Sequence, residues 1–162
     1  KVSKKIENLT GISNDMLINA PYFEDAIEEM LKLIPDDEVL LCTWSDSDTI
    51  AIIKELDVKG VHNERLRQLC ENYFDIQKEF SKKLNFEHVL NLEKALNLIG
   101  IDFEGRAHGA LADAINTAKI YTSMNDDNEI KNYMSEIGNM MKSEPLTSSL
   151  GSLFDFSKLN LE

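Results

Sequence analysis

Two carboxylates and an imidazole stand where the chain pattern concentrates chemistry: Asp48, His108 and Asp113. Carboxylate oxygens suit hard divalent cations, and an imidazole with an unperturbed pKa of about 6.5 moves protons near neutral pH. Asp48 follows Glu38-Val39-Leu40-Leu41-Cys42-Thr43-Trp44, an apolar run of strand length. Ligands of open α/β sheets gather outside the carboxyl ends of the strands, and that is where this pattern puts Asp48. The plainer use of the same residues is structural, because Asp46 or Asp48 is also a good cap for the following helix. His108 and Asp113 open a long helical pattern just after Gly105-Arg106-Ala107. On one continuous helix they would lie roughly 140° apart. They share a site only if His108 belongs to the loop and Asp113 to the first turns, an irregular entry that Gly105 and Gly109 ease. Otherwise His108 is a surface residue and Asp113 a partner of the helix N-terminus.

The elements that position these groups follow from periodicity and punctuation. Ser13 is a candidate cap for a short helix through Met16 and Leu17, and Pro21 suits the first turn of a second. In that second helix Phe23, Ile27, Met30, Leu31 and Ile34 recur at helical spacing, with Glu24, Asp25, Glu28 and Glu29 outward. Pro35-Asp36-Asp37 turns into a strand over residues 38–44, and Ser45-Asp46-Ser47-Asp48 turns into a helix that buries Ile50, Ile53 and Leu56 and ends near Gly60. Residues 64–70 and 77–84 read as helices around a second short strand at residues 73–76. Asn91 caps a helix holding Leu92, Ala95, Leu96 and Ile99, which Gly100 closes. A loop over residues 101–108 leads to the long helix, expected over residues 109–124, with Leu111, Ala114, Ile115, Ala118 and Tyr121 on one face. Helices alternating with short strands make the class α/β.

Beyond Met124 the composition shifts. Ile130, Met134, Ile137 and Met141 form one narrow helical stripe, and residues 143–162 are Ser/Leu-rich and tail-like, with a final Leu161-Glu162 that reads equally as native or as a tag scar. The expected division is therefore a main domain at residues 1–124 and a helical extension with tail at residues 125–162. A chain of 162 residues suffices for one compact core. It contains no apolar run near the ~18 residues of a membrane span, and its first residues lack a secretory core. Cys42 and Cys70 sit among apolar neighbours and make neither a disulfide framework nor a zinc site, so a cytoplasmic protein with buried thiols is expected. The net charge of −12 argues against a general nucleic-acid binder, which normally carries a basic patch. That objection weakens if the carboxylates hold divalent cations that meet a nucleic-acid end.

Taken in order, three segments resemble the DEDDh exonuclease superfamily. They are Leu9-Thr10-Gly11-Ile12-Ser13 with Ala20-Pro21 and Phe23, then Thr43-Trp44-Ser45-Asp46-Ser47-Asp48, then Phe103-Glu104-Gly105-Arg106-Ala107-His108-Gly109-Ala110-Leu111-Ala112-Asp113-Ala114. The nearest likeness is to DnaQ-like enzymes that trim structured RNA ends and to inhibitor-of-sporulation relatives. The resemblance implies a ribonuclease H-like mixed sheet flanked by helices. It implies that Asp48 is the acid of the second motif and that His108 and Asp113 are the His-x4-Asp of the third. In the family, two Mg²⁺ or Mn²⁺ ions bridge the carboxylates and the scissile phosphate, and the histidine accepts a proton from the attacking water. Asp113 is then a direct metal ligand and Asp48 holds the second metal partly through water. Thr10, Gly11 and Ile12 fall beside the terminal nucleotide of an RNA or single-stranded DNA 3′ end.

Two departures stand out. The family commonly shows Asp-Asp where this chain has Ala112-Asp113, but the first of that pair is not the ligand. The family's first motif, Asp-x-Glu on the opening strand, is not found before Leu9, and Asp36-Asp37-Glu38 comes too late to replace it. The expectation is that the opening strands lie outside this sequence, leaving a free sheet edge that another chain can pair with, or that the metal site has been lost. The alternative to the enzyme is therefore an inactive nuclease-like module that binds nucleic acid or protein, and a third option is an acidic scaffold assembling through its Met-rich helix and tail. Among the remaining residues, His62 and His88 lack acidic or cysteine partners at metal spacing and read as surface groups. Trp44 reads as core rather than as a base-stacking platform. Lys78, Lys82 and Lys83 suit a solvated helix face better than a phosphate contact. Ser149-Leu150-Gly151-Ser152-Leu153-Phe154 faintly resembles a sliding-clamp docking peptide without its leading Gln.

Overall fold

A computed structural model of the chain describes residues 1–143. The tail, the clamp-like segment Ser149 to Phe154, the final Leu161-Glu162 and the side chain of Met141 lie outside the described residues.

Two parallel strands and eight helices make up the described chain, in the order α1 (Lys4–Thr10), α2 (Phe23–Lys32), β1 (Cys42–Thr43), α3 (Ser47–Lys59), α4 (Glu64–Glu71), β2 (Phe74–Asp75), α5 (Ile76–Lys83), α6 (Leu92–Leu98), α7 (Ala110–Met124) and α8 (Asp127–Ser143). The α/β class stands. The helix expected after Ser13 does not form, and residues 14–19 are turns. The helix lies before it instead. Ser3 accepts a hydrogen bond from the Ile6 N–H at 3.4 Å and Gly11 ends the helix at φ 80°. These end signals outweigh a weak apolar pattern, and α1 buries no residue.

The strand expected over residues 38–44 is a ladder only at Cys42 and Thr43, which pair with Phe74 and Asp75. Its length is limited by its partner. Asp75 is at once the last residue of β2 and the N-cap of α5, its carboxylate accepting from the Lys78 N–H at 2.9 Å. The Phe74 N–H also donates to the Leu41 carbonyl at 2.7 Å. Among the described residues β1 pairs with β2 alone, and Leu40 beside it is 57% exposed. A strand without a second partner has no ladder to extend it.

Two buried clusters hold the helices. Phe80, Leu84, Leu96, Ile120 and Met124 join α5, α6 and α7, and Ile130, Tyr133 and Met134 of α8 pack against them. Ile27, Leu56, Leu66 and Cys70 join α2, α3 and α4. Asn63 and Asn91 cap α4 and α6 through side-chain bonds to Leu66 N–H and Lys94 N–H at 2.9 and 2.8 Å. Cys42 and Cys70 are both free thiols, and burial raises the pKa of each. No helix of the described residues is long and apolar enough to cross a membrane.

Candidate active site

α7 begins irregularly, as Gly105 and Gly109 suggested. Gly105 has φ 86°, and a Cβ there would lie 3.0 Å from the Ala112 Cβ, so the loop lies flat against the first turn of the helix. His108 stands in the left-handed region at φ 64°, a conformation few non-glycine residues adopt. Its backbone N–H donates to the Asp113 carboxylate at 3.3 Å. His108 is therefore a loop residue and Asp113 a first-turn residue, the geometry that lets two groups five positions apart approach one another. The His108 side chain is exposed and Asp113 is half-buried.

The loop is pinned from behind. Asn116 is wholly buried on α7; its amide oxygen accepts from the Glu104 N–H at 3.1 Å, and its amide nitrogen donates to the Glu104 and Ala112 carbonyls, each at 2.8 Å. Glu104 also pairs with Lys119 at 2.7 Å, and that ammonium holds the Glu104 carboxyl below its ordinary pKa. Sequence reasoning did not identify Asn116. The available signal was an amide at a helix-interior position, where Asn is a poor helix former.

Asp48 lies not at the strand end itself but in the first turn of α3, exposed to solvent. Asp46 is the N-cap but makes no side-chain capping bond; its carbonyl instead accepts from the Thr49 hydroxyl at 2.9 Å. The Thr43 hydroxyl donates to the Ser45 carbonyl at 2.5 Å and tightens the turn from β1. A cleft of about 360 Å³ opens at this turn. β1 lines it with Cys42 and Thr43, followed by Trp44, α7 lines it with Ala114, Thr117 and Tyr121, and Asp48 and Asp113 both stand on its wall. Trp44 packs its ring on Phe80 with centroids 6.3 Å apart, as a core residue should, and also faces the cleft. Its indole N–H is buried without a hydrogen-bond partner among the described residues.

Thr10, Gly11 and Ile12 close α1 and do not line that cleft, nor does His108. The Thr10 hydroxyl donates to the Ile6 carbonyl at 2.9 Å and accepts from the Ile12 N–H at 3.2 Å. The segment is tied to the loop of the third motif by Arg106, whose guanidinium donates to the Asn8 carbonyl at 2.9 Å. The same guanidinium lies over Gly11, where a Cβ would collide with it. The structure thus brings Asp48 and Asp113 to one cleft and joins Thr10, Gly11 and Ile12 to the loop carrying His108. Among the described residues no group of three His, Cys, Asp or Glu side chains is arranged to hold a metal ion.

No curated protein and no solved structure matches the chain. Residues 1–121 match the family model described as Exonuclease, RNase T, and that span includes Thr10, Asp48, His108 and Asp113. With 121 of 162 residues inside the match, the chain belongs to the Exonuclease family.

Proposed function

We propose that this nuclease domain is a metal-dependent 3′→5′ exonuclease of the DEDDh superfamily. It removes nucleotides from the 3′ end of RNA or single-stranded DNA. The observation that carries this is the meeting of Asp48 and Asp113 on one cleft beside the end of β1. Family membership supports a nucleic-acid substrate and phosphodiester hydrolysis. We assign the exonuclease domain to residues 1–124 and take β1 and β2 as the central parallel pair of a ribonuclease H-like sheet.

Two carboxylates suit Mg²⁺ or Mn²⁺, which take oxygen ligands, but a pair of ions needs more donors than Asp48 and Asp113 supply. Among the described residues β1 has one partner strand and lines the cleft, so a further strand beside it, bearing an Asp-x-Glu, would supply the others. A bound metal pair would stabilise the attacking and leaving oxygens of an in-line displacement. Asp113 and Asp48 would hold those ions in place. His108 takes the proton from the attacking water at its imidazole nitrogen. Thr10, Gly11 and Ile12 sit beside the terminal nucleotide, and Arg106 fixes their distance from His108.

The test is a ladder assay with the full-length polypeptide on 5′-labelled RNA and single-stranded DNA, in Mn²⁺ and in EDTA. Stepwise shortening that needs the metal supports the enzyme. Endonucleolytic products, or equal cleavage in EDTA, contradict it. A second reading rests on the absence of a three-ligand metal group among the described residues. It takes the domain as a nuclease-like module that binds nucleic acid without cutting it, and it predicts binding with no ladder.

A further inference from the structure

A second hollow, of about 310 Å³, lies where α5 ends and the chain turns toward α6. Lys78, Ser81, Lys82, Asn85 and His88 line it, with Glu87 as the carboxylate on its wall. Its hydrogen-bond donors are in large part unspent. Ser81 is 4% exposed and its hydroxyl has no hydrogen-bond partner among the described residues. The side chains of Asn85 and His88 make no hydrogen bond there either. Lys82 comes no nearer than 3.7 Å to Glu79 and its side chain is 76% exposed. Asn85 is held at φ 56°, a left-handed turn that ends α5 and swings the following residues round the hollow. In a chain with net charge −12, a wall of two ammonium groups, an amide, a hydroxyl and an imidazole is a local exception.

The hollow is linked through Lys78 to the turn that precedes Asp48. Lys78 is 2.9 Å from Asp75 and 3.6 Å from Asp46, the residue two positions before Asp48. Trp44, which lines the cleft, packs on Phe80 of α5, and Ile76 at the start of the same helix also lines the cleft. A strand whose 3′ end entered the cleft would have Lys78 at the boundary and Lys82 and His88 beyond it.

The geometry points to this hollow as a phosphate subsite for the backbone of single-stranded nucleic acid upstream of the scissile end, an inference that rests on the exonuclease reading above. Lys82 and Lys78 neutralise a phosphodiester while Asn85 and Ser81 donate to its oxygens. The contact is sequence-independent and favours strands long enough to reach it.

Binding in EDTA separates this site from catalysis. The probe is a 5′-fluorescent single strand of about twelve nucleotides, compared with a dinucleotide, by anisotropy across a salt series. Each phosphate contact contributes about 0.7 to the slope of log K against log salt for a single strand. Lys82→Gln should therefore reduce the slope by about 0.7 for the long strand and leave the dinucleotide unchanged. Lys82→Glu should weaken the long strand further, and Lys54→Gln, exposed on α3 outside the hollow, should change neither. An unchanged slope in both Lys82 variants overturns the inference, as does an equal loss for the dinucleotide or no binding by the wild-type chain. The metal-dependent ladder on the same strand is read separately. A ladder with an unchanged slope removes the subsite and keeps the enzyme, whereas a changed slope without a ladder removes the enzyme and keeps the subsite.

Discussion

Asn116 is the residue whose replacement tests most sharply how the loop bearing His108 is held. It is 0% exposed and joins Glu104, at the start of that loop, to α7 by one accepted and one donated bond of 3.1 and 2.8 Å. A typical intramolecular hydrogen bond contributes about 1 kcal/mol net, and more is lost when the partner is left unsatisfied. The third bond, to the Ala112 carbonyl at 2.8 Å, matters less, because that carbonyl keeps its helical partner. Two lost cross-links, together with the hole left by the buried amide, put Asn116→Ala at about 3 kcal/mol. For a chain of this size that lowers Tm by roughly 6–12 °C. Urea titration should show a lower midpoint with an unchanged m value, since the surface exposed on unfolding is the same. Asn116→Asp should be no better at neutral pH, because it keeps the acceptor but loses both donations and buries a charge. Well below the midpoint, Asn116→Ala should also cut the cleavage rate, since His108 then samples a wider range of positions. A loss below about 1 kcal/mol would show that the loop is held by something other than this amide.

Three further outcomes follow from the same region. Gly11→Ala should destabilise by about 1–2 kcal/mol in urea titration, since the residue is left-handed at φ 80° and a Cβ would displace the Arg106 guanidinium. Stability equal to wild type would mean that Arg106 does not lie there. His108→Gly should keep stability within about 1 kcal/mol of wild type while abolishing cleavage, whereas His108→Val should lose at least that much, because a β-branched residue resists φ 64°. A His108→Val protein as stable as wild type would contradict the backbone conformation. Glu104 has its carboxyl pKa lowered by Lys119, so its contribution to stability is present above its ordinary value of 4.5 and is lost as pH falls through the lowered value. Thermal melts should therefore show Glu104→Gln less stable than wild type at neutral pH, with the gap closing in acid, and a pH-independent gap would refute the pairing.

The parts of the molecule legible from sequence were those with local signals. The cap at Asn91, the glycines ending α3 and α6, and the loop-then-helix entry that separates His108 from Asp113 all depend on residues within one turn. The helix expected after Ser13 was misplaced because a good cap residue does not by itself make a helix, whereas the helix that forms, α1, has its cap signals at Ser3 and Gly11 and buries nothing. The strand over residues 38–44 was overextended because an apolar run reports burial, whereas a ladder needs a partner, and β2 gives way to α5 after Asp75. Asn116 and Arg106 escaped notice for another reason. Their partners, Glu104 and Asn8, are 12 and 98 positions away, and a single sequence carries no signal for a hydrogen bond over that distance. The resemblance located Asp48 and Asp113 on separate elements; that they face one cleft is a tertiary fact.

The most direct test of the central claim is a double-mutant cycle on cleavage rate in Mn²⁺ with Asp48→Asn, Asp113→Asn and the pair together, in the full-length polypeptide. Groups that serve one metal-dependent site act as a unit, so each single change should cost on the order of a hundredfold or more and the double should be little slower than either. Losses that multiply, or a single variant that keeps full activity, would contradict a shared site at the cleft beside β1.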